Sequence, residues 1–325
     1  MKVLFIGGTG IISSACSELA IKKGIDLYHL NRGESAKLRP VSGVKTIKAD
    51  IRDFSATQLA LENHNFDAVV EWIGFVPEHI QTDMELFRNK TKQYVFIGSS
   101  AAYQTPPEKL PITEETPLDN PVWEYARNKI ACENRLHEAF AKDAFPYTVV
   151  RPSHTYDKTL IPLMGAYTTL ARMKQGLPVI VHGDGASIWT LTHHIDFAKG
   201  LVGLLGKVEA IGQTYHITSD EYLSWENIFL KMARALGVSP NLVHIPSDII
   251  ASYDKELGDS LLGDKTHSMI FDNSKIKALV PEFKAEIPFD QGAQEIVDWY
   301  ASNPDRQIID ERINDLMEKM IVRHR

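Results

Sequence analysis

The stretch that decides the fold is VLFIGGTGIIS, residues 3–13, in which a short apolar run leads into a glycine-rich loop. The apolar run predicts a buried strand, and helical spacing over 12–23 predicts a helix that ends at Gly24. Glycines between a strand and a helix let the backbone approach a pyrophosphate, and the helix N-terminus supplies free N–H groups. The residues predicted to bind a dinucleotide in this loop are Gly7, Gly8, Thr9, Gly10, Ile11 and Ile12. Ser13 stands where such loops usually carry a third glycine.

Short apolar runs continue to alternate with helical stretches as far as residue 151. Strands are predicted at 3–6, 26–30, 44–49, 67–71, 93–97 and 147–151. Strands that alternate with helices indicate right-handed crossovers and a parallel sheet. We therefore expect an α/β fold, a Rossmann-type doubly wound parallel sheet with a smaller C-terminal α/β substrate lobe.

The composition of the chain changes after Pro152. Pro and Gly become frequent there, and HGDG at 182–185 marks a tight turn. We expect a dinucleotide-binding Rossmann domain over 1–152, with part of 180–215 returning to it. Residues 153–325 are expected to form mainly the substrate-binding lobe and C-terminal helices. Apolar residues at helical spacing near the C-terminus favour packing on the same chain, with a subunit contact as the alternative.

Composition excludes several classes of protein. The chain has 325 residues, with 35 Lys and Arg against 42 Asp and Glu, for a formal charge of -7. This charge argues against nucleic acid as a partner, because the chain gains nothing from counterion release. No apolar run is long enough to predict a membrane span. Two cysteines without a CxxC spacing and an early break in the N-terminal apolar run favour a reduced, cytoplasmic protein. No metal site is predicted, since the adjacent pair His193-His194 lacks accompanying ligands.

The end of the second predicted strand, LNRG at 30–33, bears on the choice of cofactor. A site that selects NAD(H) usually carries a carboxylate there, which accepts hydrogen bonds from the ribose. Neutral Asn31 followed by cationic Arg32 instead suits a 2′-phosphate. We therefore expect NADP(H) to be favoured, with NAD(H) as the alternative. Asp50 and Ile51, which close the third predicted strand, are expected to hold the adenine ring.

Tyr125 and Lys129 lie four residues apart on the helix predicted before the sixth strand, so they share one face. A phenol with a pKa of about 10 is a poor base at neutral pH. An adjacent ammonium and a positive nicotinamide ring stabilise the phenolate and lower that pKa. A hydroxyl at the end of the fifth predicted strand, from Ser99 or Ser100, is expected to hold the reacting substrate oxygen. Tyr125 and Lys129 are therefore predicted to be catalytic, and both are also expected to contact the cofactor.

Taken in order, these motifs resemble those of the short-chain dehydrogenase/reductase family, in its extended or atypical NAD-dependent epimerase/dehydratase group. The segments that carry the resemblance are GGTG at 7–10, Asp50-Ile51, Ser99, Tyr125 with Lys129, Arg151-Pro152, HHID at 193–196 and FDNSK at 271–275. The resemblance implies an enzyme with a Ser–Tyr–Lys centre and a C-terminal substrate lobe. Counted from Tyr103 as in the family's pattern, the catalytic hydroxyl is that of Ser99, with Ser100 as the alternative, so the predicted catalytic residues are Ser99, Tyr125 and Lys129. The resemblance also implies a homodimer formed through helices that flank the catalytic helix.

The chain departs from the family pattern around the expected substrate. EWIG at 71–74 replaces the His-Leu-Ala-Ala usual in nucleotide-sugar epimerases, and Gly74 is expected to lie against the cofactor. Trp189 stands where the family often has an arginine that grips a nucleotide diphosphate, and His154 replaces an asparagine. We expect Ser100, His154 and Trp189 to contact the substrate, and these departures argue against a nucleotide sugar.

Three functions fit these observations. The favoured one is an NAD(P)-dependent oxidoreductase that moves hydride to or from a carbinol carbon of a sugar or sugar-like small molecule, since Asn31 and Arg32 suit an exchangeable cofactor. The first alternative is a sugar or nucleotide-sugar epimerase with tightly bound NAD. The second is a non-catalytic nucleotide-sensing or RNA-binding protein, which the negative charge disfavours.

Overall fold

A seven-stranded parallel sheet forms the centre of the structure, a computed structural model that describes residues 1–33 and 39–324. Its strands are β1 (Lys2–Ile6), β2 (Asp26–Asn31), β3 (Lys45–Lys48), β4 (Ala68–Glu71), β5 (Tyr94–Ile97), β6 (Tyr147–Pro152) and β11 (Gln213–Ile217). Their order across the sheet is β11-β6-β5-β4-β1-β2-β3, so the chain changes direction between β1 and β4. The predicted doubly wound fold is confirmed, with β11 as a seventh strand beside β6.

Helices cover both faces of this sheet because successive strand residues point to opposite sides. The helices are α1 (Ile11–Lys22), α2 (Phe54–Ala60), α3 (Pro77–Phe87), α4 (Glu124–Asp143) and α6 (His194–Leu204). Val3 and Phe5 of β1 pack with α1 and α6. Leu4 and Ile6 pack with α3 and α4 on the other face. These two buried layers fix the carboxyl ends of the strands at one edge of the sheet.

Most of the remaining chain forms small sheets and helices beside that edge. The additional strands are β7 (His154–Tyr156), β8 (Pro178–His182), β9 (Ile188–Trp189), β10 (Leu191–His193), β12 (Leu223–Ser224) and β13 (Asn241–Ile245). They pair as β7 with β10, β9 with β12 and β8 with β13. The division of the chain into lobes near residue 152 stays a prediction, although α6 and β11 pack with the large sheet.

The later helices enclose an aromatic core. They are α5 (Tyr167–Lys174), α7 (Trp225–Leu236), α8 (Ser247–Tyr253), α9 (Lys255–Ser260), α10 (Ser274–Leu279), α11 (Phe289–Ala301) and α12 (Glu311–His324), and a π-helical turn, Leu261–Lys265, follows α9. Trp189, Trp225 and Phe229 belong to this core. Met317 and Met320 of α12 pack against Ile180 of β8, so the last helix covers its own chain. Across the described residues, no helix combines the length and the apolar character needed to cross a bilayer.

Candidate active site

A cleft of about 940 Å³ lies at the carboxyl ends of β1 to β5, where the strand order changes direction. This switch point is where open α/β sheets bind their ligands, and the volume lies in the range of cofactor sites. The predicted cofactor residues that line it are Gly7, Gly8, Thr9, Gly10, Ile11, Ile12, Asn31, Arg32, Asp50 and Ile51. The structure therefore brings together the glycine loop and both strand ends that the sequence singled out.

Gly8 is the tightest point of the glycine loop. Its φ is +98°, and a Cβ there would lie 2.5 Å from Nε2 of the His29 ring. His29 Nε2 is in turn 2.8 Å from the Ser17 hydroxyl, which donates to the Ser13 carbonyl at 2.7 Å. Burial lowers the pKa of His29 to about 4, so the ring is neutral. The loop thus rests on a buried imidazole, which sequence reasoning missed although His29 follows the alternating inward pattern of β2.

Ser13 fills the place of a third glycine by bonding to the loop itself. Its hydroxyl accepts the Gly10 N–H at 2.8 Å at the start of α1. The side chain is buried. A serine is therefore accommodated here because its oxygen satisfies one of the amides that a helix N-terminus leaves open.

Charged groups border the end of the cleft at β2 and β3. An Arg32 guanidinium nitrogen lies 3.9 Å from an Asp50 carboxylate oxygen, and both side chains are exposed. The Asn31 side-chain oxygen accepts the Gly33 N–H at 2.9 Å, which shapes the turn after β2. Arg52, which the sequence analysis did not select, also lines the cleft and donates to the Ile73 carbonyl at 2.5 Å. Two arginines therefore border the cleft at the end where an adenosine ribose is expected.

Lys129 is buried beneath the cleft, with 2% of its surface exposed, and neither it nor Tyr125 is among the residues that line the cleft. Its ammonium donates to the carbonyl oxygens of Gly74 at 2.7 Å and Ile97 at 2.8 Å. Burial lowers the pKa of this ammonium to about 8. Gly74, which was expected to lie against the cofactor, is not among the residues that line the cleft. Its carbonyl instead helps to hold Lys129.

Tyr125 and Ser99 meet next to Lys129. Burial raises the pKa of Tyr125, and the neighbouring Ser99 side chain lowers it by a smaller amount. The Lys129 ammonium lies 5.8 Å from the Tyr125 ring centroid. The expected net lowering of this pKa is therefore not seen in the protein alone, because burial outweighs the effect of Ser99. Ser100 is buried in the short turn that follows Ser99.

Behind the Gly74 loop lies a buried pair of carboxyl groups that the sequence did not reveal. Glu71 accepts the Ile73 N–H, and Asp83 of α3 accepts the Tyr94 hydroxyl at 2.7 Å. Burial raises the pKa of Glu71 well above its ordinary range and that of Asp83 to about 6. Burial therefore favours the protonated form of Glu71, which accepts the Ile73 N–H and so supports the loop whose carbonyl binds Lys129.

A second cavity of about 390 Å³ lies among the later helices, and His154 is part of its wall. Trp189 is buried behind His154, and its indole N–H donates to Nδ1 of His154 at 3.3 Å. Of the three predicted substrate contacts, His154 thus reaches this cavity directly, Trp189 supports it, and Ser100 lies apart beside Ser99.

A family model described as the NAD dependent epimerase/dehydratase family matches residues 3–218, and the chain belongs to this family. The match confirms the resemblance found in the sequence and places the chain in a family of enzymes. The fold agrees with solved structures at low sequence identity. UDP-glucose 4-epimerase from Bifidobacterium longum, in complex with NAD+ and UDP, superposes with a TM-score of 0.74 at 21% identity, covering 94% of this chain and 100% of that one. The epimerase Mth375 from Methanothermobacter thermautotrophicus gives 0.77 at 17% identity, covering 94% of each chain.

Relatives identified by sequence differ in their named activities. The chloroplast stem-loop binding protein of 41 kDa b from Arabidopsis thaliana is 25% identical over 75% of this chain and 65% of its own length. UDP-glucose 4-epimerase from Lactobacillus helveticus is 31% identical over 46% of this chain and 51% of its own length. The 2'-dehydrokanamycin reductase from Streptomyces kanamyceticus is 24% identical over 87% of this chain and 80% of its own length. The chain thus spans about two thirds and about half of the lengths of the first two relatives.

Proposed function

We propose that this protein is an NAD(P)-dependent oxidoreductase acting on a carbinol carbon of a sugar or sugar-like molecule through Ser99, Tyr125 and Lys129. The observation that carries the proposal is that Ser99 acts on the pKa of Tyr125, while Lys129 is buried one helical turn further along α4 with its ammonium 5.8 Å from the Tyr125 ring centroid. These groups lie beside a cleft whose glycine loop leaves no room for a Cβ at Gly8. Such close packing is what a backbone cradle for a pyrophosphate requires.

Each residue has a separate task in this proposal. A bound nicotinamide would supply or accept the hydride. The Tyr125 hydroxyl exchanges the proton of the substrate alcohol, and Ser99 orients the oxygen that carries it. Lys129 contributes positive charge that favours the phenolate, and a contact with the cofactor ribose would require its ammonium to leave the Gly74 or the Ile97 carbonyl. Because burial raises the pKa of Tyr125, added positive charge at this point has a large effect on proton transfer.

The preference for NADP(H) is part of the proposal. Asn31 and Arg32 line the cleft, and Arg32 is positioned near the Asp50 carboxylate rather than buried in the protein. A guanidinium there supports a 2′-phosphate. The solved UDP-glucose 4-epimerase from Bifidobacterium longum is described with NAD+, so NAD(H) is the alternative. Titration of both cofactors into the purified protein decides between them, and equal or tighter binding of NAD(H) overturns the preference.

An epimerase is the second candidate function, because relatives by sequence and by fold are UDP-glucose 4-epimerases. An epimerase regenerates its cofactor in each cycle and keeps it bound through purification, whereas a reductase releases it. The absorbance and mass of any nucleotide that co-purifies therefore separate the two functions.

The plant relative is named a stem-loop binding protein, which favours an RNA-binding role as a further alternative. A salt-dependent gel shift with stem-loop RNA tests it. The proposed homodimer through helices flanking α4 is tested by light scattering on the eluting protein.

The decisive experiment is a screen of sugars and polyols with NADP+ or NAD+, read by the absorbance of the reduced nicotinamide. The proposal expects turnover with at least one substrate and its loss in Tyr125→Phe. Cofactor binding by that variant, followed by fluorescence, shows that the fold is intact. Turnover that survives in Tyr125→Phe overturns the proposed centre.

A further inference from the structure

The second cavity has walls that are mainly apolar and aromatic. It lies between α5, β8, α7 and the turn Leu261–Lys265. Its apolar walls include Met164, Ile180, Trp225, Phe229, Leu261 and Ile308. Sites with this character bind ligands mostly through apolar surface and orient them with a few polar groups.

The cavity is close to the proposed catalytic centre. Lys265 lines it, and the Lys265 ammonium lies 5.4 Å from the ring centroid of Trp123. The Trp123 ring centroid is in turn 4.9 Å from that of Tyr125. On another side, His154 lines the cavity while the next residue, Thr155, lines the cofactor cleft. The Lys265 side chain and the Trp123 ring thus connect the wall of the cavity to Tyr125, and β7 connects it to the cofactor cleft.

Formal charge in the cavity wall is balanced. Of the described residues that line it, Lys265 and Asp310 are the two that carry charge. The Lys265 ammonium lies 3.8 Å from the Asp264 carboxylate, which offsets its charge. Burial keeps both histidines of the wall neutral, since it lowers the pKa of His154 to about 3 and that of His182 to about 4.

Several polar donors around the cavity are already used by the protein. The Lys265 carbonyl accepts from the Trp225 indole at 3.1 Å and from the His182 ring at 3.2 Å. At the start of α5, the N–H groups of Thr168 and Thr169 donate to the carbonyls of Gly165 and Ala166, at 3.0 and 3.2 Å. A diphosphate placed here would meet one offset cation and one carboxylate, so its negative charges would lack partners.

We propose that this cavity binds the body of an uncharged substrate with an apolar or aromatic face, such as a hydrophobic glycoside, and rejects a nucleoside diphosphate. The inference rests on the proposed function, because it assigns the substrate class of the same site. The flat C–H face of a sugar ring or an aromatic substituent packs on Trp225 and Phe229, while Lys265 and Asp310 are available to its hydroxyl groups.

Two probes test the inference, each titrated without cofactor into the full-length protein. One is UDP, and the other is a set of 4-nitrophenyl glycosides of glucose, galactose and xylose, which quench tryptophan fluorescence on binding. At least one glycoside is expected to bind about tenfold more tightly than UDP, equivalent to about 1.4 kcal/mol. UDP binding as tight as that of the best glycoside, or failure of all three glycosides to bind, overturns the proposal.

A matched pair of variants locates the binding. Ile308 lines the cavity and is 74% exposed, so Ile308→Arg tests the wall with little risk to folding. Val322 is 82% exposed and is not among the residues of the cavity wall, so Val322→Arg adds the same charge as a control. Glycoside binding should weaken about tenfold in the first variant alone. Equal binding by both variants places the glycoside elsewhere and overturns the proposal. Cofactor titration and turnover are measured separately, so failure of the proposed function is distinguishable from failure of this inference.

Discussion

The ammonium of Lys129 is held between the carbonyl oxygens of Gly74 and Ile97, with the Tyr125 ring centroid 5.8 Å away. The two carbonyls belong to the segments that follow β4 and end β5, so the position of this charge depends on the edge of the sheet. Since burial lowers the pKa of Lys129 to about 8, the carbonyl oxygens hold the ammonium in a site that otherwise disfavours charge. The proposed catalytic centre is thus coupled to the loop at 72–74.

Replacing Tyr125 with Phe removes the proton-exchanging hydroxyl and keeps the ring. We expect kcat to fall by about 10²–10⁴-fold, the usual contribution of a positioned acid or base. Cofactor affinity should change little because the glycine loop is untouched. Stopped-flow measurement of hydride transfer and a cofactor titration test this, and near-wild-type kcat would exclude Tyr125 from proton exchange.

Gly8→Ala should weaken cofactor binding and stability together. The substitution places a Cβ on a residue with φ of +98° and forces it against the His29 ring, whereas Gly24, with φ of +75°, has open space around it. Both alanine variants carry backbone strain of about 1–3 kcal/mol. Any loss of stability or cofactor affinity in Gly8→Ala beyond that in Gly24→Ala therefore measures the effect of the contact with His29. Thermal unfolding and cofactor titration are compared in the two variants, and equal losses would contradict the assignment.

Arg32→Ala should lower affinity for NADP(H) by about tenfold and leave NAD(H) binding nearly unchanged, as expected for the loss of a charged hydrogen bond to the 2′-phosphate. Arg88 directly follows α3, is exposed and pairs with Asp143, so Arg88→Ala serves as the control. Isothermal titration with both cofactors makes the comparison. A parallel loss for NAD(H) would assign Arg32 to a contact that both cofactors share.

The buried pair Glu71 and Asp83 should make stability depend on pH. Burial raises both pKa values, so the folded protein keeps protons that the unfolded chain releases. The unfolded state then binds fewer protons, and stability falls as pH rises from about 4 through the raised values. Glu71→Gln removes one titrating group, so its Tm should decline less than that of the wild type between about pH 5 and about pH 8. Glu62 is exposed, so Glu62→Gln serves as the control. If Tm depends on pH in the same way in the wild type and both variants, Glu71 is not responsible for the pH dependence.

Much of the fold follows from local pattern in the sequence. The strand, glycine loop and helix at the N-terminus are encoded within about twenty residues. The ends of β2 and β3, which border the cleft, were also predicted from the sequence to contact the cofactor. Periodicity cannot reveal β11, because its five residues join the sheet only through long-range pairing with β6. The same limit explains why β11 was expected only as an unspecified return of the chain to the first lobe.

The parts of the site that escaped prediction all depend on packing. Glu71 and Asp83 are twelve positions apart and meet only when α3 docks beside β4. Gly74 was expected at the cofactor because of its place after β4, yet the structure uses its carbonyl to hold Lys129. The effect of burial on Tyr125 was also unpredictable, since spacing on a helix shows which residues are neighbours but not how much water surrounds them.

The three-residue strand β7 determines how substitutions can affect the two cavities it borders. Consecutive side chains of an extended segment point in opposite directions, so His154 and Thr155 serve two separate chambers from adjacent positions. One short strand thus contributes a side chain to each of two adjoining spaces. A substitution at His154 can therefore alter one space while Thr155 continues to line the other.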